Sequence, residues 1–279
     1  MFRRWLAAVL LLGLFAMPAQ AYSVSDYELP VDIRVNGHYI KTDTNPFIID
    51  GTTYVPLRFV SEALSADEVL WDGAKATATI VNGNQTIQLR ENQRYAYVNG
   101  KQVALQGAML LVNSRAFVPV RFVSETFDAT VNWDGEYFTV DIWKNGIAVP
   151  SNMIVRYYTE DEIFWLGRII EAESRGEPLR GKIAVGNVIL NRVKSREYPD
   201  TIYNVIFDRN HGVQFQPAAN GTIYNTPSAD SIISAKRALR NENYVGNSLY
   251  FLNPRKSSNF WIPNNRPYYT TIANHDFYL

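Results

Sequence analysis

The sequence predicts an α+β protein in two unlike halves, a duplicated β-rich α+β module followed by a helix-rich region with a small β-sheet. Three observations carry that prediction. A block of alternating and turn-forming residues occurs twice in the first half. Apolar residues recur at helical spacing over 163–170 and again over 183–193. Gly176 and Pro178 then punctuate the gap between those two segments, because glycine ends helices and proline cannot continue one.

The chain opens with Arg3-Arg4, an apolar run from Trp5 to Met17, and Ala19-Gln20-Ala21. A charged start, an apolar stretch too short for a bilayer and a small-residue cleavage site read as a secretory signal over 1–21. A short membrane anchor is the weaker alternative. No other run approaches the ~18 apolar residues of a membrane span, so the mature chain is expected outside the cell and not membrane-spanning. Lys and Arg number 27, as do Asp and Glu; such a balance lacks the basic face of a nucleic-acid binder. Cysteine is absent, so packed cores rather than disulfides must hold the fold. With only His38, His211 and His275, and those scattered, neither a metal nor a cofactor is expected.

The duplication spans the first half. Val35-Asn36-Gly37 returns as Val98-Asn99-Gly100, and the stretch Tyr54 to Glu62 returns as Phe117 to Glu125 with Val-Pro and Arg-Phe-Val-Ser-Glu kept. Trp71-Asp72-Gly73 returns as Trp133-Asp134-Gly135. Each Asn-Gly pair between alternating residues predicts a hairpin. Pro56 and Pro119 suit the first turn of a short helix, whose Val60, Ala63 and Leu64 would pack on the sheet. Arg58 with Glu62, and Arg121 with Glu125, read as intrahelical pairs. A tryptophan fixed in both copies reads more readily as core than as a sugar-stacking platform. The module resembles the twin-repeat stalk of exported bacterial proteins, labelled by its likeness to a copper amine oxidase N-terminal domain, over residues 31–143. That resemblance implies a spacer or wall-binding role without chemistry, since no histidine set for copper is present.

Residues 144–158 carry Gly146, Pro150, Ser151 and Asn152 and read as a linker. The second domain is expected over 159–279. Thr159 with Glu162 forms an S/T-x-x-E capping box before Ile163, Phe164, Leu166, Ile169 and Ile170. A second, more apolar helix follows from Ile183 to Val193. Residues 209–225, rich in glycine and asparagine around Val213-Gln214-Phe215, read as a binding loop. Thr226-Pro227 predicts a helix start, with the helix running to about Leu239. Ser248–Leu252 and Tyr268–Ile272 read as strands.

Chemistry concentrates at the helix break, where Glu171, Glu173 and Glu177 fall within seven residues. A carboxylate in the last turn of a buried helix faces the negative pole of the helix dipole, which disfavours ionisation. A general acid is placed in such surroundings. Metal binding would want His or Cys beside these glutamates, and none is near. Glycosidic cleavage by a protonated carboxyl fits, and Gln214, Tyr250, Asn253 and Trp261 suit a sugar-binding groove. On composition alone, solvated glutamates around a helix break remain the better reading.

The run Leu166 to Pro178, with Ile-Ile-Glu-Ala-Glu-Ser-Arg-Gly-Glu inside it, and Gly181 to Val193 resemble the cell-wall hydrolase family that includes spore-cortex-lytic enzymes. Gln214-Phe215, Leu249 to Pro254, Arg266-Pro267 and Thr271 to His275 keep the family's order. The resemblance implies a lysozyme-like fold and action on peptidoglycan glycan strands in the cell wall or spore envelope. It implies Glu173 as catalyst, acting twice in a lytic transglycosylase that leaves 1,6-anhydro-muramyl ends. A hydrolytic muramidase would need a second carboxylate, for which Glu177 is the candidate; a non-catalytic wall-binding protein is the third possibility. Glu177, Gln214, Tyr250 and Asn253 are the expected substrate-binding residues, and Glu171 is expected to be a solvated bystander. Asn187 and Asn191 read equally as groove or core residues. Ala273 stands where the family commonly has glycine, which bears on the turn before His275.

Overall fold

The computed structural model of the chain describes residues 30–210, 212–257 and 260–279. The leader 1–21 and His211 lie outside the described residues. Its α+β composition is β-rich in the first half and helical in the second.

The first repeat forms β1 (Asp32–Val35), β2 (His38–Tyr39), β3 (Phe47–Ile49), β4 (Thr52–Pro56), α1 (Leu57–Ala63), β5 (Glu68–Asp72) and β6 (Thr77–Asn82). After β7 (Gln85–Arg90), the second repeats that order as β8 (Tyr95–Val98), β9 (Lys101–Ala104), β10 (Leu110–Val112), β11 (Arg115–Pro119), α2 (Val120–Thr126), β12 (Thr130–Asp134) and β13 (Thr139–Trp143). The hairpin turns hold Asn36 and Asn99 as well as Gly37 and Gly100 at positive φ, as a two-residue primed turn requires.

The copies interlock instead of stacking as beads. Equivalent strands β4 and β11 pair with each other, Val55 opposite Val118, at the centre of a sheet ordered β10-β11-β4-β3. β1 of the first copy runs parallel to β13 of the second in the sheet β12-β13-β1-β2. β7 joins β5-β6 to β8-β9 in the remaining five-stranded sheet. Val60 and Ala63 of α1 and Leu64 just after it, with Val123 and Phe127 of the second copy, are fully buried in one shared core. Arg58 and Glu62 (3.8 Å) and Arg121 and Glu125 (3.5 Å) are exposed i,i+4 pairs, worth about 0.3–0.5 kcal/mol each.

Two expectations are corrected here. Trp71 and Trp133 are not core residues but stand 42% and 40% exposed. Residues 144–158 are not a free linker: Met153 enters the core of the repeats, Ile154 bridges Ile40, and Val155 N–H donates to the Tyr39 carbonyl at 2.9 Å.

The second half builds α3 (Glu160–Ser174), α4 (Leu179–Lys194), α5 (Ile202–Phe207), α6 (Gln216–Asn220) and α7 (Ala229–Leu239). β14 (Tyr250–Leu252), α8 (Trp261–Asn265), β15 (Tyr268–Ile272) and β16 (His275–Tyr278) complete it. The capping box forms: Thr159 Oγ1 accepts from Glu162 N–H at 3.1 Å, and Thr159 N–H donates to the Glu162 carboxylate at 2.6 Å. α3 stops at Ser174 and α4 starts after Pro178. α7 begins at Ala229 with Ser228 as its cap, two residues later than Thr226-Pro227 predicts. The 209–225 stretch is less irregular than expected, containing α6 and a 3-10 turn at Thr222–Tyr224. β16, unforeseen in the sequence, is the central strand of the sheet β14-β16-β15.

Helices α3, α4 and α7 approach closely because glycine removes side chains at their contacts. A Cβ on Gly167 would meet Ile232 Cδ1 at 2.7 Å, and one on Gly186 would meet Ile170 Cδ1 at 2.9 Å. The two halves meet at a buried charge cluster. Asp32 of β1 pairs with the fully buried Lys236 of α7 at 2.8 Å and with Arg240, and accepts a hydrogen bond from Tyr158. Lys236 also donates to the carbonyls of Pro30 and Phe138. Burial pushes the Lys236 ammonium down to about 8 against the pull of Asp32.

Candidate active site

Glu173 projects from the last turn of α3 into a cleft of about 850 Å³, within the range of small-molecule sites. The opposite walls are Arg192 of α4, Tyr198, Gln214 and Phe215 of the loop before α6, Tyr250 of β14, and Trp261 with Arg266 at α8. Burial pushes the Glu173 carboxyl up to about 7, against the opposing positive charge of Arg192. Among the described residues, no hydrogen bond to its carboxylate offsets that burial. The raised pKa expected at this helix end therefore comes from desolvation by the cleft walls.

Arg192 is the residue that the sequence reading passed over. It is buried, with Nε donating to the Leu249 carbonyl at 2.8 Å and Nη1 to Gln214 Oε1 at 3.3 Å. Its guanidinium lies over the rings of Tyr198, Phe215 and Tyr250 at 4.8, 5.2 and 5.6 Å, a desolvated cation–π cage. The signal for it was present: Arg192 follows Val188 by four residues and Ile189 by three, on the buried stripe of α4. Across the cleft, Arg266 covers Tyr250 at 4.6 Å and Trp261 at 5.5 Å. The Tyr198 hydroxyl, hydrogen-bonded to Tyr250, is pushed up to about 12, chiefly by burial, so it stays protonated at neutral pH.

Of the sequence-predicted residues, the structure brings Glu173, Gln214 and Tyr250 together. Glu177 and Asn253 are not among the described residues lining the cleft. The Glu177 carboxylate is taken up by the β15–β16 turn, accepting from Asn274 N–H at 3.1 Å and Asn274 Nδ2 at 3.0 Å. Burial opposes its ionisation, but those Asn274 bonds prevail and hold it below the ordinary range. Asn253 folds back on its own turn, accepting from Arg255 N–H at 3.0 Å. The exposed carboxylate of Glu197 is the second acid that lines the cleft, the position foreseen for Glu177.

Glu171 is buried rather than solvated. One carboxylate oxygen accepts from Ser228 N–H at 3.0 Å, Ser228 Oγ at 2.5 Å and Ser231 Oγ at 2.7 Å, and the other meets Arg175 at 3.2 Å. It caps the N-terminus of α7, where negative charge is favoured, and so fixes α3 against that helix. Asn187 and Asn191 are structural: Asn187 bonds the Glu242 carbonyl at 2.7 Å and Asn191 the Gly246 carbonyl at 2.8 Å. Copper chemistry does not fit the first half. His38 is the one histidine there, exposed on a two-residue strand.

Residues 34–142 match the copper amine oxidase N-terminal domain family, and residues 176–278 match the Cell Wall Hydrolase family. The spore cortex-lytic enzyme of Bacillus cereus is 37% identical over 132 residues, which cover 47% of this chain and 48% of that enzyme. The chain thus spans about half the length of that relative. A solved structure of the catalytic domain of the germination-specific lytic transglycosylase SleB from Bacillus anthracis is 35% identical, covering 47% of this chain and 100% of that one, with a TM-score of 0.41. Cell wall hydrolase CwlJ of Oceanobacillus iheyensis is 31% identical over 108 residues, which take in 75% of its length. A match of that extent and identity settles the family: the chain belongs to the cell wall hydrolases.

Proposed function

We propose that the protein degrades peptidoglycan outside the cytoplasm by cleaving the β-1,4 bond between N-acetylmuramic acid and N-acetylglucosamine, as a lytic transglycosylase. The relatives named above support spore cortex as the substrate and germination as the setting. The observation that carries the reading is Glu173, a carboxyl desolvated to about 7 in an aromatic and arginine-lined cleft.

A carboxyl of that acidity is partly protonated and partly ionised near neutral pH, so one residue serves as acid and then as base. The protonated Glu173 donates to the glycosidic oxygen while the bond from that oxygen to muramyl C1 breaks. The resulting carboxylate takes the proton from the muramyl 6-hydroxyl, whose oxygen closes on C1. Glu173 ends protonated, and no water is consumed. Arg192 sits where its charge eases ionisation of Glu173 between the two steps, and Gln214 holds Arg192 in place. Tyr250 and Trp261, at 6.2 Å with edge-on geometry, offer ring surface for sugar stacking.

Glu197 favours one alternative, a hydrolytic muramidase in which this rim carboxylate activates water. Mass spectrometry of fragments released from purified peptidoglycan separates the two. Anhydro-muramyl ends that persist in Glu197→Gln support transglycosylation; reducing muramic acid that disappears in Glu197→Gln supports hydrolysis. Undiminished release by Glu173→Gln would remove Glu173 from either scheme, since loss of a general acid costs about 10²–10⁴ in rate.

A further inference from the structure

The interlocked repeats leave two clefts that are copies of each other. One, of about 510 Å³, is lined by Arg58, Val69 and Trp71 of the first repeat and by Leu111 and Ala116 of the second. The other, of about 300 Å³, is lined by Arg121, Val131 and Trp133 of the second and by Ile48 and Thr53 of the first. These are corresponding residues, each cleft joining the helix side of one repeat to the β-hairpin of the other.

The W-D-G motif is the device that sets the tryptophan. Asp72 Oδ1 accepts from the backbone N–H groups of Ala74 and Lys75, and Asp134 Oδ1 from those of Glu136 and Tyr137. The glycine lies under the indole edge: a Cβ there would meet Trp71 Nε1 at 3.6 Å or Trp133 Nε1 at 3.3 Å. Each indole is thus seated on its own turn and left two-fifths exposed. Beside it stands an arginine that is itself half-exposed and only loosely paired with the glutamate one helical turn on. Arg58 also donates from one guanidinium nitrogen to the Val69 carbonyl at 3.1 Å, which leaves its other N–H groups to a ligand. A flat apolar ring next to an arginine is a surface for a pyranose bearing acyl substituents: the indole takes the C–H face of the ring and the guanidinium donates to an acyl or carboxyl oxygen. Both volumes fall in the small-ligand range. A repeating polymer presents the same unit to both clefts, and occupancy of one raises the effective concentration at the other.

We propose that the two clefts are equivalent saccharide sites by which the first half holds the amino-sugar strands that the second half cuts. The identity of the strand rests on the peptidoglycan reading above; the chemistry of the clefts does not.

The test uses the full chain carrying Glu173→Gln and cosedimentation with purified insoluble peptidoglycan. Trp71→Ala or Trp133→Ala is expected to weaken binding about tenfold and the pair by more, the residue coming from the Glu173 cleft. Replacing both by Phe keeps an aromatic platform and is expected to retain binding within about threefold. With Glu173 intact, the double alanine variant should still cleave a soluble muropeptide tetrasaccharide at the parent rate. A double alanine variant that melts like the parent yet sediments equally well overturns the proposal, as does a parent chain that needs an added protein to sediment. Sedimentation lost in the tryptophan variants while Glu173→Gln still cleaves would overturn the catalytic reading and leave this one standing.

Discussion

Glu171 and Glu173 lie two residues apart on α3, and their surroundings shift the two carboxyls in opposite directions. An α-helix turns by roughly 200° between such positions, so the two side chains leave on opposite faces. Glu171 meets the serines that open α7 and is held below the ordinary carboxylate range, burial being outweighed by the Ser228 and Ser231 bonds. Among the described residues Glu173 meets no hydrogen-bond donor, and burial pushes it up to about 7. One helix end therefore carries both an anchor and an acid.

The anchor gives the first prediction. A carboxylate whose folded value is depressed contributes stability above its unfolded value, lost as pH falls through the folded one. Glu171→Gln removes a charge that accepts three hydrogen bonds and caps α7, and is expected to cost about 2 kcal/mol at pH 7. Thermal melts between pH 3 and 8 check this. The gap to the parent should close at the acid end, where the parent carboxyl is itself protonated.

For Glu173 the sign reverses. Its folded value is raised, so the folded chain holds the proton more tightly than the unfolded chain between pH 4.5 and about 7. Stability falls with pH across that window. Glu173→Gln, which cannot ionise, should melt like the parent below pH 4.5. It should be the more stable of the two above pH 7, by at most about 3 kcal/mol. The parent's kcat/KM on peptidoglycan should decline above the same pH, as the acid form is lost. A rate that rises steadily through pH 8 would show that Glu173 does not donate the proton.

The Asp32 cluster yields a prediction about how the halves are joined. Asp32 is the shared counter-charge for the buried Lys236 and for Arg240. Asp32→Asn leaves those cations uncompensated, a change that costs about 3–5 kcal/mol in buried pairs. Asp32→Asn with Lys236→Met removes the fully buried cation as well and should recover a large part of that loss. Denaturant unfolding of the parent, Asp32→Asn, Lys236→Met and the double variant is the measurement. Additive losses in the double variant would mean that Asp32 and Lys236 are not coupled.

Local pattern announced the helices well, because the features that start and stop α3 and α4 lie within a few residues of their ends. Pairing between distant strands was not legible. The alternation in β4 and β11 says that each is a strand, and nothing in it says that each is the other's neighbour. Asp32 in Val-Asp-Ile-Arg-Val reads as a surface position because its cationic partners lie about two hundred residues away in α7. Trp71 and Trp133 misled for a related reason: repetition marks a residue as required without saying whether packing or exposure requires it. Among the three glutamates, composition offered equivalence. Their separation came from the neighbours, Ser228 for Glu171, Asn274 for Glu177 and the Arg192 cage for Glu173, each supplied by a segment remote from the helix break.

Ala273 provides the last prediction. It occupies the left-handed region at φ 53° in the β15–β16 turn, a conformation that costs an L-residue roughly 1–2 kcal/mol and glycine nothing. Glycine also gains freedom in the unfolded chain, which returns part of that difference. Ala273→Gly is therefore expected to stabilise the protein by about 0.5–1 kcal/mol. The neighbouring Asn274 holds Glu177 rather than Glu173, so the pH at which activity declines should not move. A lower melting temperature for Ala273→Gly would show that the alanine methyl contributes packing that exceeds the backbone strain. A shifted pH profile would show that the turn reaches the catalytic carboxyl after all.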